Sequence, residues 1–240
     1  MTQPSRTERE VIEEIRFPSG QLMLEGRLYY PERNTIRGGV VLVGPHPMLG
    51  GDMNNNVVRG VSTWLARLGI GTLCFNYRGV GASEGKPPTI TTNLAEFWAT
   101  SRIEDESAYA DDARAAKVEL QELLGDVPHL GLVGYSFGCS LLPHIPCDQA
   151  CPLALIAPTV GRHDYAAYQN VSNSVLVIAP EGDFATDSAQ IGAWFDSLSA
   201  PKQLIRGEWD DHFFRGWEEE LAETVSSFLH ARWEEPHAAN

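Results

Sequence analysis

The sequence predicts an α/β fold: a mostly parallel sheet with helices on both faces and an antiparallel hairpin at one edge. Three observations predict it. From residue 39 to residue 233, short apolar runs rich in β-branched residues alternate with helical stretches of ten or more residues, the rhythm of right-handed strand, helix, strand crossovers. Residues 13–30 instead alternate apolar and polar, as strands with one wet face do. Finally, 240 residues with 43% hydrophobic content suffice for a single domain, 1–240, with a full core.

Residues 13–18 and 22–30 flank Ser19 and Gly20 as the two arms of the hairpin, which should form one edge of the sheet. Residues 39–44, GVVLVG, are continuously apolar, as expected of a parallel strand buried on both faces. Across 55–68, Val58, Val61, Trp64, Leu65 and Leu68 recur at helical spacing. Strand 71–77, helix 107–124 and strand 130–135 follow, then strands 153–158 and 174–179, helix 187–198, strand 203–206 and helix 217–233. Internal repeats and low-complexity linkers are absent from the sequence.

The net charge of −14 argues against nucleic acid or an anionic membrane as partner, since either would need clustered Lys and Arg. The charged start MTQPSRTEREVIEEIRF lacks the apolar segment of a signal peptide, and no later run is long enough to span a bilayer, so a cytoplasmic location is expected. Cys74, Cys139, Cys147 and Cys151 are too scattered for a disulfide scaffold. Cys147 and Cys151 would make half a metal site, but no second pair at ligand spacing accompanies them, so ordinary thiols, no metal and no cofactor are expected.

Residues 129–139, HLGLVGYSFGC, run an apolar strand directly into Gly134-Tyr135-Ser136-Phe137-Gly138. A G-x-S-x-G turn of this kind places a serine in a strained strand-to-helix corner, where flanking glycines avoid collision and the hydroxyl stands clear of the sheet. The following helix start aims the Phe137 N–H at the same point, as a donor to a developing oxyanion. In a parallel sheet, partners should lie at the carboxyl ends of later strands. Asp183 follows strand 174–179 and His212 follows strand 203–206, giving Ser136 a base in His212 and an orienting carboxylate in Asp183. Glu181 and Asp187 share the Asp183 loop and compete for that role, whereas His129, His144, His163, His230 and His237 read as structural or exposed.

A second oxyanion donor should come from Gly44-Pro45-His46-Pro47-Met48-Leu49-Gly50-Gly51. Proline has no N–H, so Met48 is the first available donor after His46 and Leu49 the next. His46, a histidine without partners, reads as a residue that holds this loop in shape.

The runs GPHPMLGGDMNNNVV, FNYRGVGASEG, GYSFG and DDHFF together resemble a bacterial α/β-hydrolase family related to small serine esterases and dienelactone-hydrolase-like proteins. The resemblance implies an eight-stranded sheet, a triad of Ser136, Asp183 and His212, and oxyanion donors at Phe137 and Met48. Two departures stand out. Pro143 and Pro146 should shorten or kink the helix after the serine, and residues 86–105 are longer than the usual connection there.

The expected function is a cofactor-free serine hydrolase acting on a small-molecule acyl substrate, a small or medium carboxylic ester or thioester. Acyl transfer, cyclisation or lyase chemistry with the same serine is the alternative within catalysis, and a non-catalytic binding protein the alternative outside it. Residues 161–173 are too few for a helical cap domain, so 86–105 is the candidate lid. Leu94, Phe97 and Trp98 fall on one helical face there, which either closes over Ser136 or packs as a structural strut. Leu49, Tyr135, Phe97 and Trp98 are the substrate-binding candidates.

Overall fold

The structure, a computed structural model, describes residues 9–33, 35–90, 94–125, 127–207, 209 and 211–235. Eight strands form one sheet: β1 (Glu10–Ser19), β2 (Leu22–Pro31), β3 (Gly38–Val43), β4 (Ile70–Phe75), β5 (Leu130–Tyr135), β6 (Leu153–Ile156), β7 (Val175–Pro180) and β8 (Lys202–Gly207). Their spatial order is β1-β2-β4-β3-β5-β6-β7-β8. β1 and β2 pair antiparallel through all of 10–31, β2 joins β4 antiparallel, and every later pairing is parallel. The alternating segment is therefore the sheet edge, while β3, β4 and β7, apolar but for Thr72, are buried along their whole length.

Helices α1 (Asn56–Arg67) and α6 (Glu218–Trp233) cover one face. Their buried stripes, Val57, Val61 and Leu65 on the first and Leu221, Val225 and Leu229 on the second, share a core with Val40, Leu42 and Ile178. Asn55 starts α1 by accepting the Val57 N–H at 2.9 Å, the side-chain cap that its sequence position favours. Helices α3 (Glu106–Leu124) and α5 (Ser188–Ser197) cover the other face, with Ala113, Ala116, Leu120 and Ile191 against Val41, Leu132 and Val177. The small alanines let α3 lie close to the strands.

The helix after the serine is short, as the two prolines require: α4 (Gly138–Leu141) passes straight into a 3-10 turn over Leu142–His144. The connection from β4 to α3 contains a second short helix, α2 (Leu94–Thr100). Its base is closed by an antiparallel bridge between Ile90 and Ile103 and by the Glu104 N–H donating to the Thr89 carbonyl at 3.0 Å. Residues 91–93 of this expected lid lie outside the described residues.

The stretch FNYRGVGASEG is held by one buried carboxylate. Asp112 of α3, fully buried, accepts the Arg78 backbone N–H at 2.9 Å, the Arg78 guanidinium at 2.7 Å and the Ser19 hydroxyl at 2.7 Å. One acid thus ties the hairpin, the loop after β4 and α3 together.

Candidate active site

β3 leads out to β4 on one side while β5 leads to β6 on the other, and β3 and β5 are neighbours in the sheet. The crevice at their carboxyl ends is the switch point at which sheets of this type place ligands. Ser136 stands there. Its φ is +55°, a left-handed conformation that a non-glycine residue holds only when its surroundings enforce it. A Cβ on Gly134 would come within 2.7 Å of the Cys139 backbone, and one on Gly138 within 2.1 Å of the Val43 carbonyl, so both glycines are obligatory to the turn. The Ser136 N–H donates to the Ile156 carbonyl at 2.9 Å and pins the corner to β6.

His212, after β8, places Nε2 2.9 Å from the Ser136 Oγ. On its other side, Nδ1 lies 2.8 Å and 3.0 Å from the two carboxylate oxygens of Asp183, in the loop after β7. A carboxylate oxygen only accepts, so Nδ1 carries the hydrogen and Nε2 presents its lone pair to the serine hydroxyl. The Asp183 side chain is 1% exposed and that of His212 6%, so water screens this chain of hydrogen bonds little. The Ala185 N–H donates to Asp183 Oδ1 at 2.7 Å and fixes the carboxylate. Tyr135 donates its hydroxyl to the His212 carbonyl at 3.1 Å and lies under the imidazole, with ring centroids 5.5 Å apart.

The neighbouring acids are engaged in local structure. Asp187 caps α5 by accepting the Ala189 N–H at 2.7 Å. Asp211 accepts the Phe213 N–H and pairs with Arg215, both at 2.7 Å, which shapes the turn beside His212. Asp210 of the DDHFF run lies outside the described residues, as does His237.

The loop after β3, expected to supply an oxyanion donor, differs from the sequence expectation. Phe137 N–H sits at the start of α4 with no protein acceptor among the described residues. Met48 N–H, expected to stand free, donates to His46 Nδ1 at 3.2 Å, and Leu49 N–H donates to the His46 carbonyl at 2.9 Å. The loop folds back on His46 so tightly that a Cβ on Gly51 would lie 2.2 Å from the carbonyls of Pro45 and His46. His46 itself donates from Nε2 to the Ser101 carbonyl at 2.7 Å. Burial pushes its pKa down to about 4, so the ring is neutral and keeps Nδ1 as an acceptor.

No family model matches the chain. An uncharacterized protein of Rickettsia prowazekii is 24% identical over 227 residues, 90% of this chain and 88% of its own. An α/β serine hydrolase homologue from Coxiella burnetii superposes with a TM-score of 0.74 at 25% identity, over 90% of this chain and 97% of that one. A lid-free α/β serine hydrolase from Xanthomonas campestris superposes with a TM-score of 0.71 at 24% identity, over 96% and 97%. The chain is an α/β-hydrolase by fold.

In this α/β-hydrolase fold the serine and histidine open on a cavity of about 100 Å³. Leu49 and Tyr135 line it, as the sequence suggests, and Phe184 and Phe213 complete an apolar mouth. Phe184 is 66% exposed and lies 5.2 Å from the His212 ring. Phe97 and Trp98 are not among the lining residues. The seven-residue α2 turns Phe97 inward onto the His46 ring, centroids 5.8 Å apart, and leaves Leu94 and Trp98 on its outer side, 61% and 62% exposed. Segment 86–105 reaches the cavity through Ser101 instead, whose carbonyl holds His46.

Sequence reasoning missed Ser101, Thr159, Arg162 and His163, all cavity residues. His163, expected to be structural or exposed, has a side chain only 2% exposed, stacks on His46 at 5.9 Å and meets the Phe137 ring edge-on at 4.9 Å. A signal existed: residues 157–163 leave the carboxyl end of β6, the strand beside the serine, and the topological argument applied to 86–105 applies equally there. Among the described residues no cluster of three or more His, Cys, Asp or Glu could hold a metal, and no helix is long and apolar enough to cross a membrane.

Proposed function

We propose that this protein is a serine hydrolase that cleaves a small carboxylic ester or thioester through an acyl-enzyme on Ser136. One observation carries the reading: the unbroken hydrogen-bonded chain from Ser136 Oγ through His212 to buried Asp183, opening on a cavity with an apolar mouth. In this mechanism Ser136 Oγ attacks the carbonyl carbon while His212 Nε2 takes its proton. Asp183 stabilises the imidazolium and holds its tautomer. The Phe137 N–H receives the oxyanion, and the Met48 N–H joins it by exchanging His46 Nδ1 for the new charge, a stronger acceptor than a neutral imidazole. His212 then protonates the departing oxygen or sulfur. Water, deprotonated by the same ring, attacks the acyl-enzyme and releases the acid.

Cavity size points to the substrate. A volume of about 100 Å³ is below the ~150 Å³ in which an apolar cavity holds benzene, so an acyl group of a few carbons fits without rearrangement. Longer chains would have to leave between Leu49 and Phe184. No cofactor is needed for any step, and the partner in this reading is a small acyl compound rather than a nucleic acid or a membrane.

The test is covalent labelling by a fluorophosphonate together with turnover of short-chain 4-nitrophenyl esters and acyl thioesters. The expected result is a stoichiometric mass increase on the peptide bearing Ser136, absent in Ser136→Ala, with hydrolysis fastest for two- to four-carbon acyl groups. A folded wild-type protein that neither labels nor turns over any member of the panel would overturn the proposal.

A further inference from the structure

The cavity beside Ser136 contains a positive charge that the acyl-transfer steps leave unused. Arg162 lines it, on the connection that leaves β6. Its Nε donates to the Ala185 carbonyl at 2.6 Å and its Nη2 reaches the Phe184 carbonyl at 3.4 Å. A guanidinium has five N–H donors in a rigid fork, so most of the Arg162 fork remains open. Among the described residues it forms no ion pair, in a chain that carries 32 acidic side chains against 18 Lys and Arg.

The acids nearby are already committed. Asp183, two residues before Ala185, gives both oxygens to His212 and one also to the Ala185 N–H. Glu106 faces the neighbouring His163, with Oε1 3.7 Å from Nδ1, and accepts the Ile103 N–H at 3.3 Å. Burial works to raise the Glu106 pKa, but His163 and that N–H outweigh it and hold the carboxyl below the usual range. Glu106 is therefore ionised and turned to His163 rather than to Arg162. The His163 Nδ1 has no hydrogen-bond partner although it is buried, and His163 lines the cavity wall next to Arg162.

We infer that Arg162, with His163 beside it, forms a subsite for a carboxylate carried by the substrate, so that the preferred ester or thioester is an anionic one. The inference rests on the hydrolase reading and narrows its substrate class. An open guanidinium fork matches a carboxylate in bidentate fashion, and partial burial strengthens that pair relative to water. The apolar mouth at Leu49 and Phe184 stays available for the neutral half of the molecule. Because the cavity is small, the carboxylate must lie only a few carbons from the scissile carbonyl.

The experiment compares charged esters with neutral esters of similar chain length. Ethyl hydrogen glutarate against ethyl pentanoate places the charge on the acyl side, and 3-acetoxypropanoate against butyl acetate places it on the leaving group. We expect the wild-type protein to favour the charged member of one pair by about tenfold or more in kcat/KM, expressed in KM, since a site built for a polar group discriminates strongly against an analogue lacking it. Arg162→Met should bring that ratio close to one, and Arg162→Lys should restore part of it. A wild-type ratio at or below one in both pairs overturns the subsite. So does an unchanged ratio in Arg162→Met with both rates falling together, which would make Arg162 a strut for the Phe184–Ala185 loop. Should Arg162→Met fail to fold, glutarate must inhibit wild-type turnover of ethyl pentanoate competitively and more strongly than pentanamide does. Equal inhibition counts against the proposal. Labelling of Ser136 with turnover of neutral esters but no charge preference sinks the subsite alone, whereas no labelling and no turnover sinks the hydrolase reading with it.

Discussion

His46 is bonded through Nε2 to the carbonyl of Ser101, 55 positions later in the chain and 2.7 Å away. Because the same ring accepts the Met48 N–H, it joins the 86–105 segment to the loop after β3. Ser101 holds φ +56° to present that carbonyl, a conformation sustained by its N–H donating to the Phe97 carbonyl at 2.6 Å. Burial lowers the His46 pKa from 6.5 to about 4, so between those pH values the unfolded chain binds a proton that the folded chain does not. The stability gained by keeping His46 neutral is complete above about pH 6.5 and is lost as pH falls through about 4, an amount on the order of 3 kcal/mol. Urea denaturation across pH 4 to 7 should therefore show a shallower dependence in His46→Gln than in the wild type. His163 and Glu106, the titratable groups facing the ring, remain in both proteins. Parallel curves would show that His46 does not titrate in this window.

Replacing Ser136 tests the centre of the site. Ser136→Ala removes a hydroxyl bonded to His212 and should lower kcat by ~10³-fold or more. Its melting temperature should stay near that of the wild type, since the corner is held by the backbone bond to Ile156 and by the two glycines. Near-wild-type turnover would move the nucleophile elsewhere.

The acid assignment separates three carboxylates within residues 181–187. Asp183→Asn presents an amide N–H or a neutral oxygen to Nδ1 and should reduce kcat by roughly 10³- to 10⁴-fold, as loss of the orienting acid does in Ser-His-Asp sites. Asp187→Asn keeps an N-cap acceptor for α5 and should leave kcat within a few-fold, as should Glu181→Gln on its exposed turn. Steady-state kinetics of the three variants decides it. A large loss at Asp187 or Glu181 with a small one at Asp183 would reassign the acid.

For segment 86–105, stability and selectivity come apart. Phe97 is buried on His46 and the core, so Phe97→Ala should cost about 3–5 kcal/mol and lower rates on all acyl lengths together. Trp98, 62% exposed, should change stability by less than about 0.5 kcal/mol on replacement by Ala. Thermal melts and a chain-length series measure both. A shift in chain-length preference in Trp98→Ala would return that side chain to the acyl pocket.

Asp112 supports the hairpin, the loop after β4 and α3 at once. Asp112→Ala leaves Arg78 half buried without its partner and should destabilise the fold by about 3–5 kcal/mol. Chemical denaturation reads it directly, and a loss under 1 kcal/mol would show that water replaces the carboxylate at little cost.

The sequence alone determined the sheet, its antiparallel edge and the position of each crossover helix. Those depend on local periodicity, and β3 or α1 buries the same residues wherever its neighbours come from. It also located the corner that carries Ser136, because a strand-to-helix turn between two glycines is a local event, and it placed Asp183 and His212 in loops at the same end of the sheet by topology. Only the tertiary structure decided how segments far apart in sequence meet. The direction in which Phe97 points depends on His46, about fifty positions earlier in the chain, and the engagement of the Met48 N–H depends on a tautomer set by the Ser101 carbonyl. Arg162 and His163 gave no periodic signal because they lie in a loop, where side-chain direction follows from packing rather than from a repeat. Their approach to Ser136 arises from β5 and β6 pairing in register, a long-range event that no window of the sequence contains.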